Sequence, residues 1–217
     1  MKSLVKKELK LATSPLSWFF LLAAFMTLLP GYPILMSCFF VCLGLFQSFQ
    51  TAREFNDVLY TALLPIRKAD AVKAKYLQVC FFQLLAFLLM ALLTALRMTV
   101  LSGSVVYANN ALMNANPVFL AFALLLFALF NLLFLGGFFK TAYNIGKPFV
   151  TFIAASLVLI GLAETLHHFP ALRFLHTPGG ERMGLQWTVL LLALVVYVLV
   201  TLLSEKWSEQ RFEQIDL

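Results

Sequence analysis

Glu164, His167 and His168 form an E-x-x-H followed by a second histidine, a spacing that sets two kinds of metal ligand on one helical face, with His176 close behind. A metal site needs further ligands. The chain has neither H-E-x-x-H nor a second E-x-x-H, so none is expected. Gly136, Gly137, Phe138, Phe139, Lys140 and Thr141 offer a lysine and a threonine behind two glycines, but no glycine directly precedes the lysine. Without the G-x-x-x-x-G-K-[ST] pattern the backbone cannot wrap a phosphate in the usual way. The glycines read as a close-packing or bending point and Lys140 as a surface anchor, and no cofactor is expected on this chain. Gln83, Thr94 and Asn131 are polar residues inside apolar stretches, where they either line a path or hydrogen-bond between helices, the second being the commoner use. Cys38 and Cys42, one helical turn apart, and Cys80 read as free, packed thiols.

The elements that carry these residues belong in a membrane. With 62% hydrophobic and 12% charged residues and a mean hydropathy of +0.90, the chain is far more apolar than a soluble domain. Six apolar segments, near 16–30, 33–50, 76–100, 117–139, 148–166 and 185–204, approach or reach the length of a span. No cleavage site follows the first, so it is expected to stay in the membrane. PGYP, with Pro30, Gly31 and Pro33, reverses the chain between the first two as a helical hairpin. The fold class is therefore all-α and polytopic, with six spans and both termini on one side. Thirteen lysines and arginines fall on that side and only Arg97, Arg173 and Arg182 on the other, which makes the first side cytoplasmic. Arg97, at the far end of its helix, is expected to snorkel to the outer headgroups. The net charge of +6 is a topology signal and an attraction to anionic lipid, not the mark of a nucleic-acid binder.

Between the second and third spans, residues 53–76 hold five of the sixteen basic and three of the ten acidic residues. Thr51, Ala52, Arg53 and Glu54 fit a capping box, so a helix is expected to begin at Thr51 and stop before Pro65. Phe55, Val58, Leu59 and Ala62 make its apolar stripe, and Glu54, Asn56, Asp57 and Thr61 lie opposite. Asp70 is expected to cap the next helix. Residues 1–15 form a second amphipathic helix, with Leu4, Val5, Leu9, Leu11 and Ala12 on one arc, lysines on the other and Glu8 out of place on the apolar arc. Pro15 permits the bend into the first span. Segment 168–183 is too long and apolar for a plain loop, and Pro170 starts a short helix there. The tail from Ser204 onward continues the last helix.

An acidic residue soon after the second span, the pair Leu63 and Leu64 before Pro65, Arg67 and Lys68, and the K-x-K-Y entry to the third span resemble the first cytoplasmic loop of small ABC-2 type permeases. The likeness runs over the whole chain, through PGYP, GGFFKTAYNIGKP and ETLHH. It is nearest to the permeases of bacterial phenol-soluble modulin exporters. The resemblance implies a single transmembrane domain, 1–217, with an interfacial elbow helix at 1–15 and a coupling helix at 51–64. It implies that Arg53, Glu54, Asp57, Val58, Tyr60, Leu63 and Leu64 contact an ABC ATPase, present in two copies and carrying the ATP and Mg. It further implies re-entrant gate helices in 164–183 shaped by Glu164, His167 and His168. A second permease copy or a paralogue would complete a dimer in the bacterial cytoplasmic membrane. The implied activity is export of amphipathic or antimicrobial peptides, or lipid-like molecules, by alternating access, with Gln83, Thr94 and Asn131 as candidate path-lining residues. An ATP-independent channel or secondary carrier, and an intramembrane enzyme, stay open as other readings.

Overall fold

The computed structural model describes residues 2–108, 110, 112–141, 144–166, 168–177 and 182–215, and among them it contains helices, turns and no strand. Helix α1 (Lys2–Lys7) widens into a π turn over Glu8–Ala12. Helix α2 (Pro15–Phe20) tightens into 3-10 geometry over Leu21–Leu28. The two meet at 88°. The bend is local chemistry: the Ser14 hydroxyl accepts from the Leu16 amide at 3.3 Å, and Pro15 takes the first helical position, where a missing amide costs nothing. Gly31 then turns the chain at φ +69, a conformation open to glycine without strain.

Helix α3 (Met36–Glu54) returns alongside α2 at very close range. A Cβ on Gly44 would stand 2.5 Å from Phe20 Cβ. Ser17 Oγ donates to the Gly44 carbonyl at 2.5 Å and pairs with Ser48 Oγ at 2.6 Å, while the Ser14 amide donates to Ser48 Oγ at 3.0 Å. Small residues that let backbones approach, with hydroxyls bonding across, are how apolar helices associate where lipid supplies no hydrophobic drive.

The chain continues through α4 (Asp57–Ala62), α5 (Lys68–Thr99), α6 (Val105–Ala108), α7 (Pro117–Phe138), α8 (Gly146–Leu166), a 3-10 turn at Pro170–Leu175, and α9 (Met183–Glu213). Helices α5, α7, α8 and α9 are each long and apolar enough to cross a membrane, and the bent pair α1–α2 is a fifth if taken as one broken span. The six apolar segments of the sequence thus yield four or five membrane-capable helices among the described residues. The shortfall lies in the hairpin. Six residues of α-helix and eight of 3-10 helix reach only about 25 Å, and α3 ends on the polar Gln50, Arg53 and Glu54.

Helix α7 is the centre of the bundle, 72% of its apolar window being buried against 17% for α9. Phenylalanines fill the space around it: Phe46 stacks on Phe149 at 3.8 Å, and Phe49 meets Phe134 edge-on at 5.0 Å. The aromatic richness of the chain is largely internal packing. Within α7 the segment Phe130–Leu135 is a π turn, in which the Asn131 carbonyl accepts from the Gly136 amide and from Ser204 Oγ of α9 at 2.8 Å. Gly136 admits that serine, since a Cβ there would lie 3.2 Å from Ser204 Oγ, and Gly137 sits against Pro148, 2.8 Å from where its Cβ would be.

Two expected caps do not form. Helix α3 runs straight through Thr51, whose carbonyl accepts from the Phe55 amide at 3.1 Å, so no orphan amides exist there for a capping box to satisfy. The break falls instead at Asn56, φ 52, a residue type that tolerates left-handed backbone. Asp70 does not cap α5 either. It sits in the first turn and accepts from Arg67 Nε at 3.1 Å and Nη2 at 3.2 Å, bonds that occupy both of its carboxylate oxygens.

Replacing Gly44 with alanine is expected to cost about 1–3 kcal/mol through overpacking against Phe20. Gly161→Ala, with nothing within 4 Å of its Cβ, should be neutral or mildly stabilising. Thermal unfolding of both variants in detergent separates the two outcomes.

Candidate functional site

At the end of the bundle where the lysines gather, four charges from three elements close a ring. Lys7 Nζ lies 3.2 Å from Glu8 Oε1 and 2.6 Å from Asp57 Oδ1. Lys75 Nζ pairs with Glu8 Oε2 and lies 3.5 Å from Asp57 Oδ2. Positive and negative alternate around it. The side chains of Glu8 and Lys75 are only 3% and 8% exposed, so these are desolvated charges that hold their places by pairing. Thr61 adds a 2.6 Å bond from Lys7 Nζ, and Lys75 also rests over the Phe49 ring at 5.6 Å. Burial pulls the Lys7 ammonium down, but its hydrogen bond to Asp57 and the charges of Glu8 and Asp57 outweigh it and leave its pKa raised. Its contribution is therefore complete at neutral pH and is lost only as pH climbs above 10.5 through the raised value. A cavity of about 40 Å³ opens beside the ring, walled by Thr61, Lys68, Phe138, Phe139 and Phe212.

The ring turns the polar side of α4 inward. Asp57 and Thr61, placed by spacing opposite the apolar stripe, face the protein, because half-buried Lys7 and buried Lys75 require partners. Phe55, assigned to the apolar face, is 69% exposed. Of the residues expected to meet a partner, Arg53, Glu54, Tyr60, Leu63 and Leu64 are exposed and lie on or beside α4, whereas Asp57 is turned inward. The Val58 side chain lies outside what the structure describes. Phe55, Tyr60, Leu63 and Leu64 are exposed apolar side chains in the same stretch of chain as exposed Arg53, Glu54 and Arg67.

Midway along the bundle Gln83 and Asn131 are brought together. Gln83 Nε2 donates to Asn131 Oδ1 at 2.9 Å, and Asn131 Nδ2 donates to Gln83 Oε1 at 3.1 Å and to Thr201 Oγ1 at 2.9 Å. Tyr197 donates to Gln83 Oε1 at 2.8 Å. These bonds join α5, α7 and α9. Thr94 is buried and has no partner for its hydroxyl among the described residues.

At the opposite end Arg97 does not snorkel. It is 4% exposed, donates to the Thr27 carbonyl at 2.7 Å and to Asn114 Oδ1 at 3.2 Å, and covers the Tyr107 ring at 4.2 Å. Asn114 Nδ2 lies 3.2 Å from His176 Nε2. Glu164 Oε2 accepts from the Met113 amide at 2.8 Å, while His168 is exposed and His167 lies outside the described residues. Among the described residues no group of three or more His, Cys, Asp and Glu side chains is placed to hold a metal.

Against this geometry, the family model described as ABC-2 family transporter protein matches residues 3–213. The chain belongs to that family. An ABC-2 protein is a membrane component of an ABC transporter, a setting that implies an ABC ATPase as partner and often a dimer. Neither the curated proteins nor the solved structures gave a significant match. For this ABC-2 chain, the buried ring was hidden from sequence reasoning except for one signal: Glu8, a carboxylate on the apolar arc of α1. Arg97, Asn114 and His176 gave none, because only folding joins the 101–116 loop to α5 and to the 170–177 segment.

Lys75→Met should destabilise the protein by about 3–5 kcal/mol, since it leaves buried Glu8 and half-buried Asp57 facing a single ammonium. Lys73→Met, which removes a half-exposed partner 3.5 Å from Glu209, should cost less than about 1 kcal/mol. Denaturant titration in mixed micelles measures both.

Proposed function

We propose that the chain is the permease half of an ATP-driven exporter, working as a dimer of itself or with a paralogue and driven by two separate ATPase subunits. The match to the ABC-2 family over residues 3–213 carries the reading. It agrees with the lack of a phosphate loop in these residues, which leaves nucleotide binding to a partner. In this reading α2 and α3 complete six spans, the basic end with both termini is cytoplasmic, and α1 lies along the inner leaflet as an elbow. Helix α4 and its flanks are the coupling element. Arg53, Glu54, Tyr60, Leu63 and Leu64 meet the ATPase through an apolar edge with a charged rim, the composition of a docking patch. Asp57 holds that element in place from behind.

The cargo is amphipathic, a modulin-like or antimicrobial peptide or a lipid-like molecule, moved by alternating access between two permeases. Exposed Trp18, Phe19 and Phe25 on α2 and the apolar faces of α8 and α9 favour such a cargo over ions. Midway along the bundle the buried polar residues joining α5, α7 and α9 are neutral amides and hydroxyls, and among the described residues there they include no carboxylate or histidine relay of the kind that proton-coupled carriers use. At the far end the segment around Glu164, His168 and His176 forms the external gate.

Co-purification with the product of a neighbouring ATPase gene tests this. Leu63→Asp and Glu54→Arg should each reduce complex formation, or stimulation of ATP hydrolysis by the permease, by more than about tenfold, equivalent to losing one interface anchor. A complex indifferent to both, or none with the unaltered chain, removes the reading. A cysteine at Leu63 should react with a membrane-impermeant maleimide in inverted vesicles and not in intact cells.

A further inference from the structure

Helix α4 is a short rod with a loose joint at each end. Before it the chain turns at Asn56, φ 52, and after it residues 63–67 leave helical geometry around Pro65. The hydrogen bonds across both joints are local turns, so the covalent chain does not fix the direction of the rod. Side chains do. Asp57 and Thr61, one helical turn apart, both bond to Lys7 of α1, and Asp57 reaches Lys75 of α5. Among the described residues, no α4 side chain forms a hydrogen bond or ion pair with α3, the helix it follows directly.

We infer that the ring Lys7–Glu8–Lys75–Asp57 is a positioning linkage that makes α1, α4 and the first turns of α5 a single mechanical body, hinged against α3 at Asn56. Alternating charges in a largely buried setting do not separate singly: withdrawing Asp57 strands an excess ammonium, and withdrawing Lys75 strands an excess carboxylate. The three elements therefore shift together or remain together. The cavity beside the ring gives Lys75 and Asp57 room to change partners without leaving it. A push on α4 is thus delivered through Lys75 into α5, and reaches α3 only through the turn at Asn56 and the Phe49 ring on which Lys75 rests. The linkage itself stands on geometry alone; only the origin of the push rests on the transport function proposed above.

Hydrogen–deuterium exchange of the full chain in nanodiscs of phosphatidylethanolamine and phosphatidylglycerol tests the linkage. Glu8→Gln is the decisive variant, because the Glu8 carboxylate pairs with Lys7 and Lys75 and reaches α4 only through those two lysines. It should raise exchange at 57–62 and at 2–12 together by about tenfold, the loss of one charge-assisted bond, with 117–129 unchanged. Asp57→Asn should do the same, and Thr61→Val, which removes one bond to Lys7 but keeps all four charges, should raise exchange less than either charge variant does. Inverting the whole ring, with Lys7→Glu, Glu8→Lys, Asp57→Lys and Lys75→Glu, restores alternation and should bring exchange back toward the unaltered protein. If Glu8→Gln leaves 57–62 unchanged, or Asp57→Asn loosens α4 alone, the linkage is overturned. In a second arm, vanadate trapping of the complex with the ATPase should alter exchange at 68–76 in the unaltered chain and fail to do so in Glu8→Gln. A response confined to the end of α3 overturns the route. Failure of any ATPase to bind removes the transport reading and leaves the first arm standing.

Discussion

Two buried charges and the two half-buried ones that pair with them set the arrangement of one whole end of this protein. Lys75 is buried on α5 and Glu8 on α1, and a buried charge persists only when opposite charge reaches it with good geometry. That requirement draws Asp57 inward, seats α4 under the bundle and leaves Phe55, Tyr60, Leu63 and Leu64 on the outside. The exposed edge proposed to dock a motor is thus the reverse side of an electrostatic constraint. In an ABC-2 protein, where work must enter from a separate subunit, structure and transmission would then use the same residues.

The rest of the bundle answers to a second constraint, the weakness of hydrophobic drive between helices that sit in lipid. Close approach and shared polar groups take over. Gly44 receives Phe20, Gly136 receives Ser204 and Gly137 receives Pro148, each at a distance that excludes a side chain or makes one tight. The π turn in α7 frees the Asn131 carbonyl to serve Ser204 as well as Gly136, while the Asn131 side chain ties Gln83 to Thr201. Such bonds are worth only about 0.6 kcal/mol each on average. Their number and directionality define the register among α5, α7 and α9 more than they add stability. Phenylalanine packing fills the space between.

At the far end the same logic makes a structural element of a cation. Arg97 is one of three basic residues that the lysine and arginine count assigns to the outer side, and the topology argument needs only that location. Its burial against Thr27, Asn114 and Tyr107 turns it into a fastener between the hairpin, α5 and the loop before α7. His176 joins this group through Asn114.

Composition and periodicity alone established an all-helical membrane chain, the hairpin at PGYP, the bend at Pro15, the long last helix and the place of the charged segment between the hairpin and α5. These follow from local rules: apolar length against bilayer thickness, proline and glycine geometry, lysine bias across a membrane. Glu8 on an apolar arc hinted at a buried partner without naming it. Only the tertiary structure decided that Lys75 and Asp57 supply the pairing, that Thr51 stays inside α3, that α4 turns its polar side to the protein, and that Arg97 is buried. Each of these depends on which charges end up out of water together, and desolvation is a property of the assembled neighbourhood that no stretch of chain possesses by itself.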